Sequence, residues 1–177
     1  MKLIALFAAL LAVAAAPQEL PKPGKEHEAL KVFEGDWTFT GKFFMDPAQP
    51  PMEMNGTETS KMVLGGFYLN SDVKSTFMGG PFEGRWTLTY SVFKKKYQAS
   101  WIDSVMPHVF TSEGDVDATG KIFNLHGEGF DPATGKATKE RWVMEVKDAD
   151  NHQMTFYSPG PDGKERKTGE IVYKRKK

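Results

Sequence analysis

From Gly35 to the C-terminus, apolar and polar residues alternate in short runs, the period of a half-buried strand rather than of a helix. The cleanest run is Arg85 to Phe93. Trp86, Leu88, Tyr90 and Val92 fall on one face, and Thr87, Thr89 and Ser91 on the other, so one side packs and the other is wet. The pattern predicts strands over 36–45, 53–64, 67–77, 82–93, 96–105, 108–116, 121–130, 137–147, 152–158 and 167–175. Ahead of them, residues 17–25 read as a polar, proline-containing leader. Ala29, Leu30 and Phe33 recur at helical spacing, so residues 26–33 are expected to form one or two helical turns.

The connections are short. Asp117-Ala118-Thr119-Gly120 and Asp131-Pro132-Ala133-Thr134-Gly135 both begin with Asp and end with Gly. The Asp side chain bonds the turn backbone, and Gly takes the left-handed conformation that closes it. Gly65-Gly66, Gly79-Gly80-Pro81 and Pro161-Asp162-Gly163-Lys164 punctuate the chain in the same way. Connections of this length force neighbouring strands antiparallel. About ten such strands form a meander, and a long meander removes its exposed edges by closing. The expected fold is all-β: a single antiparallel up-and-down barrel over 35–177, with a short helix in the 17–34 segment before it. A barrel of this size is filled by side chains or holds one small ligand.

Residues 1–16 stand apart. Met1-Lys2 precede an apolar run ending in Ala14-Ala15-Ala16, the form of a secretory signal peptide and too short to span a bilayer comfortably. Pro17 directly after the cut disfavours it, so cleavage one residue earlier is the alternative. Removing this segment takes away only Lys2 among charged residues, leaving 22 basic against 23 acidic side chains. Near-zero net charge argues against a nucleic-acid partner. The mature chain keeps six Leu and seven Ala but twelve Phe, five Tyr and four Trp, a composition poor in helix formers and rich in strand formers. The absence of cysteine excludes disulfides, thiolate metal sites and a cysteine nucleophile.

Gly35-Asp36-Trp37, after the short helix and at the start of the first strand, resembles the Gly-x-Trp signature of lipocalin-like (calycin) barrels, in which the Trp packs across the closed end. The chain from about Gly24 to Lys177 also resembles a bacterial exported family catalogued as domain of unknown function fifteen seventy-nine. The stretches that carry the resemblance are Met62-Val63-Leu64-Gly65-Gly66-Phe67-Tyr68-Leu69, Met78-Gly79-Gly80-Pro81-Phe82-Glu83-Gly84, Trp101-Ile102-Asp103-Ser104, Asp131-Pro132-Ala133-Thr134-Gly135-Lys136 and Glu170-Ile171-Val172-Tyr173. The resemblance implies a bacterial protein, periplasmic or secreted, and supplies no catalytic residues. A barrel alone does not settle function.

The aromatic residues Trp37, Phe39, Trp86, Tyr90, Tyr97, Trp101, Trp142 and Phe156 fall largely at period-two positions and are expected to line the interior. They either fill it or accept a small hydrophobic or amphipathic molecule. Polar candidates for a metal, haem or catalytic site are Asp103, His108, His126 and Glu128. Imidazole with carboxylate suits zinc or iron, and a haem needs only one axial His, yet no metal-ligand spacing supports either. His126 and Glu128 share a face, and one register step decides which. Pairing Asp117 with Lys121 sets Ser112 opposite His126 and turns it inward, while the neighbouring register sets Thr111 opposite it and turns it outward. His27 and His152 are expected in solvent.

Met52-Glu53-Met54 matches a copper(I)-type spacing, but methionine also fills irregular interiors. Asp103 after Trp101 and Glu83 after Phe82 are the candidates for acid–base chemistry because of their aromatic neighbours, while no Gly-x-Ser-x-Gly elbow accompanies Ser104 and His108. Lys94-Lys95-Lys96 and the tail Lys174-Arg175-Lys176-Lys177 read as solvated charge, and Asn55-Gly56-Thr57 as an accidental sequon in a bacterial chain. The sequence therefore points to a carrier or binder of a small apolar or amphipathic molecule, with no cofactor and no stable membrane anchor. A solid-barrel interaction protein and a periplasmic haem protein, metal protein or enzyme are the alternatives. It names no catalytic residue, ligand identity or oligomeric state.

Overall fold

The computed structural model describes residues 20–44, 48–130 and 135–177. One helical turn, α1 (Lys25–Glu28), continues as a 3-10 turn over Ala29–Phe33. Ten strands follow: β1 (Gly35–Phe43), β2 (Met52–Val63), β3 (Tyr68–Phe77), β4 (Gly80–Ser91), β5 (Lys96–Asp103), β6 (Phe110–Val116), β7 (Ile122–Phe130), β8 (Ala137–Val146), β9 (Asn151–Pro159) and β10 (Glu165–Arg175). Each pairs antiparallel with the next, and β1 closes onto β10 with Phe39 opposite Tyr173, so the sheet has no free edge. No strand end departs from its sequence expectation by more than two residues. The signal segment, Met45 and the Asp131–Thr134 part of a turn lie outside the described residues.

The Asp–Gly turn formula holds where it is described. The Asp117 carboxylate accepts the Lys121 and Ile122 amides and the Thr119 hydroxyl, while Gly120 takes φ +72°. These donors hold the Asp117 carboxyl below its usual range. The backbone of Asp117 pairs with Ile122 (2.9 Å), one residue beyond the pairing considered from sequence. The β6–β7 register consequently sets Glu113 opposite His126 and Thr111 opposite Glu128.

One end of the barrel is sealed. Trp37 donates its indole N–H to the Phe33 carbonyl (2.9 Å) and lies 4.0 Å beneath the Arg175 guanidinium. Arg175 also bonds the carbonyls of Val32 and Glu34, tying the last strand to the helical turn. Leu30 and Phe33 enter the core from that turn, and Phe33 meets Phe123 edge-on. This is the closed-end role expected of the tryptophan in Gly35-Asp36-Trp37.

Two histidines expected in solvent belong to the seal. His27 is 2 % exposed, accepts the Gly24 amide on Nδ1 and meets Phe67 and Tyr90 edge-on. His152 is 6 % exposed, stacked on Tyr173 at 4.2 Å and edge-on to Trp37 at 4.3 Å. The polar neighbours Asp148, Asp150 and Asn151 belong to the turn, whereas His152 is already an inward position of β9.

Candidate ligand site in the barrel

The eight aromatic residues named from sequence are distributed over three levels of the barrel. Trp37, Tyr90 and Tyr97 belong to the sealed end. Tyr97 bonds the Glu26 carbonyl (3.3 Å), and burial pushes its phenol up to about 12. Phe39 stands beside Tyr173 at 5.6 Å. At the waist, Trp142 stacks between Phe110 (4.1 Å) and Trp86 (5.6 Å). Towards the other end, Phe156 meets Trp142 edge-on at 5.2 Å and stacks on Phe43 at 5.9 Å, while Trp101 stacks over Phe82 at 6.3 Å.

That second end is the mouth. No helix covers it among the described residues, and Phe43, Phe77, Trp101 and Phe156 are only partly buried there. The loops around it expose Met78, Val105, Met106, Val109 and Phe130. The waist is filled by rings in mutual contact. Two open grooves of about 500 Å³ run along the sheet wall, one by Asp72, Arg85 and Asp103 and the other by Thr87, Gln98 and His126. The partly buried aromatic side chains Phe43, Phe77, Trp101 and Phe156 are grouped at the mouth.

Of the polar candidates, Asp103 is spent on local structure. Its carboxylate accepts the Trp101 indole (2.8 Å) and the amides of Val105 and Met106, anchoring the β5–β6 loop. His108 sits exposed on the rim, edge-on to Phe130 at 4.8 Å. His126 and Glu128 point outward, correcting the inward alternative, because Glu113 and Thr111 oppose them. Among the described residues, no group of three or more His, Asp or Glu is placed to hold a metal ion.

Sequence reasoning missed the polar groups that do face inward. Glu58, Ser60 and Ser71 line the wall of β2 and β3. The Ser60 hydroxyl donates to Glu58 Oε1 (2.7 Å) and lies 2.6 Å from Ser71 Oγ. Burial pushes the Glu58 carboxyl up, partly offset by hydrogen bonds from Ser60, Ser71 and Tyr173. Its face also carries Met54 and Met62, a signal present in the alternation. Nearer the mouth, Glu140 shares the inner face of β8 with Trp142 and accepts its indole N–H (2.9 Å). Burial raises this carboxyl as well. Arg166, on the inner face of β10, completes the set.

A family model described as protein of unknown function (DUF1579) matches residues 22–175. The chain belongs to this family. No curated protein matches the chain. Among solved structures, the DUF1579 barrel is similar to Rv2717c from M. tuberculosis at 15 % identity and a TM-score of 0.60, covering 87 % of this chain and 99 % of that one. At such identity the likeness is one of fold. A de novo designed fluorescence-activating β-barrel aligns at 16 % identity and a TM-score of 0.47, covering 84 % and 97 %. A barrel titled EF1p2_mFAP2b bound to DFHBI aligns at 10 % and 0.44, covering 85 % and 99 %.

Proposed function

We propose that this protein is exported and binds a small apolar or amphipathic molecule at the mouth of its barrel. The observation that carries the reading is the asymmetry of the two ends. One is sealed by Trp37, Phe33 and Arg175, whereas the other leaves Phe43, Trp101 and Phe156 half-buried inside a collar of exposed apolar side chains. A concave apolar surface with a few inward polar groups is the usual form of a small-molecule site. The Trp142 stack forms its floor, so the site is shallow. Export rests on the signal-like pattern of residues 1–16.

Native mass spectrometry of the protein purified from its own periplasm tests both parts. A reproducible non-covalent adduct, on a chain lacking the first fifteen or sixteen residues, is the expected result. Repeated absence of any adduct removes the carrier reading, and an intact Met1 removes export with cleavage. The second reading, a solid barrel that acts through its surface, is favoured by the ring contacts that fill the waist. It gains where the adduct is absent.

A further inference from the structure

We infer that Arg166 is an anion seat at the barrel mouth, so that the ligand is an amphiphile with a single anionic head, a carboxylate or a sulfonate. The inference rests on the mouth reading above and narrows it to a ligand class. Arg166 pairs with Ser158 of β9, between Glu165 and Lys167, which face outward. Those neighbours are engaged outside the barrel, Glu165 by Arg141 and Lys167 by Glu170. Regular alternation from Tyr173, Ile171 and Gly169 would place Arg166 outside. A bulge between Lys167 and Gly169 reverses the parity and turns it in.

Three of the four arginines have partners: Arg85 holds Asp72, Arg141 holds Glu165, and Arg175 holds backbone carbonyls and Asp150. Among the described residues Arg166 has none, and its Nε is buried away from solvent. A guanidinium cannot shed its charge to relieve that state. Among the described residues none of the acids around it forms an ion pair or hydrogen bond with it. Asp162, in the turn above, directs Oδ1 to the Lys164 amide (3.1 Å). Glu140, two strands away on the same inner face, is engaged by Trp142, and burial raises its carboxyl. Gly160 lets the β9–β10 hairpin close over the arginine stem: a Cβ there would lie 3.2 Å from Arg166 Cδ.

Below the arginine lies a surface for the tail. Gly169 has no side chain, and Phe43 and Phe156 close over it, with a Cβ there only 2.8 Å from the Phe43 ring. Phe156 continues the surface to Trp142. A head held by the terminal Nη groups of Arg166 would therefore leave its apolar part along Phe43, Phe156 and Trp142.

The test uses two fluorescent probes that differ in one group, 1-anilinonaphthalene-8-sulfonate and its uncharged twin N-phenyl-1-naphthylamine, titrated into the wild-type protein. The expected result is tighter binding of the sulfonate. Arg166→Gln should weaken the sulfonate by about tenfold or more and leave the neutral probe within about twofold. Arg166→Lys should restore part of the loss. Circular dichroism melts confirm that each variant is folded. If Arg166→Gln weakens both probes alike, or neither, the anion seat is refuted. Binding of the neutral probe without the sulfonate also refutes the seat while leaving the mouth reading standing. If the wild type binds neither probe, both fall.

Discussion

His152 makes the sealed end sensitive to acid, and the size of the effect follows from its surroundings. Burial, reinforced by the nearby Arg175 charge, lowers its pKa from 6.5 to about 3. The folded protein therefore resists a proton that the unfolded chain accepts. Stability is fully present above pH 6.5 and drains away as the pH falls toward 3. Integrating over that window gives a total loss of roughly 5 kcal/mol, of which about 2 kcal/mol falls between pH 7.5 and pH 5.0. His152→Phe isolates this contribution. Phenylalanine can keep the ring contacts to Trp37, Tyr173 and Phe33, and Nδ1 has no hydrogen-bond partner to lose. Urea unfolding of both proteins, followed by tryptophan fluorescence at the two pH values, should show the wild type losing about 2 kcal/mol more than the variant. Equal losses with unchanged m-values would refute the assignment.

Three further expectations follow from the geometry. A Cβ on Gly114 would lie 1.8 Å from the Asn124 carbonyl oxygen of the paired strand, so Gly114→Ala should cost about 3 kcal/mol or more in urea unfolding; a cost under about 1 kcal/mol contradicts the close approach. Asp103→Ala removes the acceptor for Trp101, Val105 and Met106 and should lower stability by about 1–3 kcal/mol; an unchanged urea midpoint would show that the loop does not depend on it. The Glu58 carboxyl titrates above its usual 4.5 in the fold, so its stabilising contribution is full below pH 4.5 and is lost as the pH rises through the folded value. Glu58→Gln, neutral throughout, should gain on the wild type between pH 4.5 and pH 8, and a constant gap in urea midpoints would contradict the raised value.

The architecture was legible because the determinants of a meander are local. Alternation marks each strand, and Asp–Gly turns such as Asp117–Gly120 fix the connections, so closure needs only their number and direction. What escaped prediction depends on register and on long-range burial. The side of His126 turned on a single step in the β6–β7 pairing. His152 sits beside a polar turn in sequence but beside Trp37 and Tyr173 in space. Glu58 and Glu140 occupy inward positions in the alternation and were not singled out, since a carboxylate is ordinarily placed at the surface; Ser60 and Trp142 supply the hydrogen bonds that let them face inward. Arg166 was hidden by the bulge before Gly169.

The two ends of the barrel use their polar groups differently. At the sealed end, the Trp37 indole, the Tyr97 hydroxyl and the Arg175 guanidinium each reach a backbone carbonyl of the helical segment. Those bonds occupy groups that burial would otherwise leave unpaired, and they hold the cap against the strands. At the mouth, the Trp101 and Trp142 indoles are satisfied by Asp103 and Glu140, while Arg166 Nε is left without an acceptor. His152 Nδ1 at the sealed end is likewise unpaired; what sets Arg166 apart is its fixed charge and the bulge that turns it inward, where the regular continuation of β10 would put it in water. The bulge that turns Arg166 inward and the uncapped aromatic surface below it lie at the same end of the barrel, which is why both enter the proposed site.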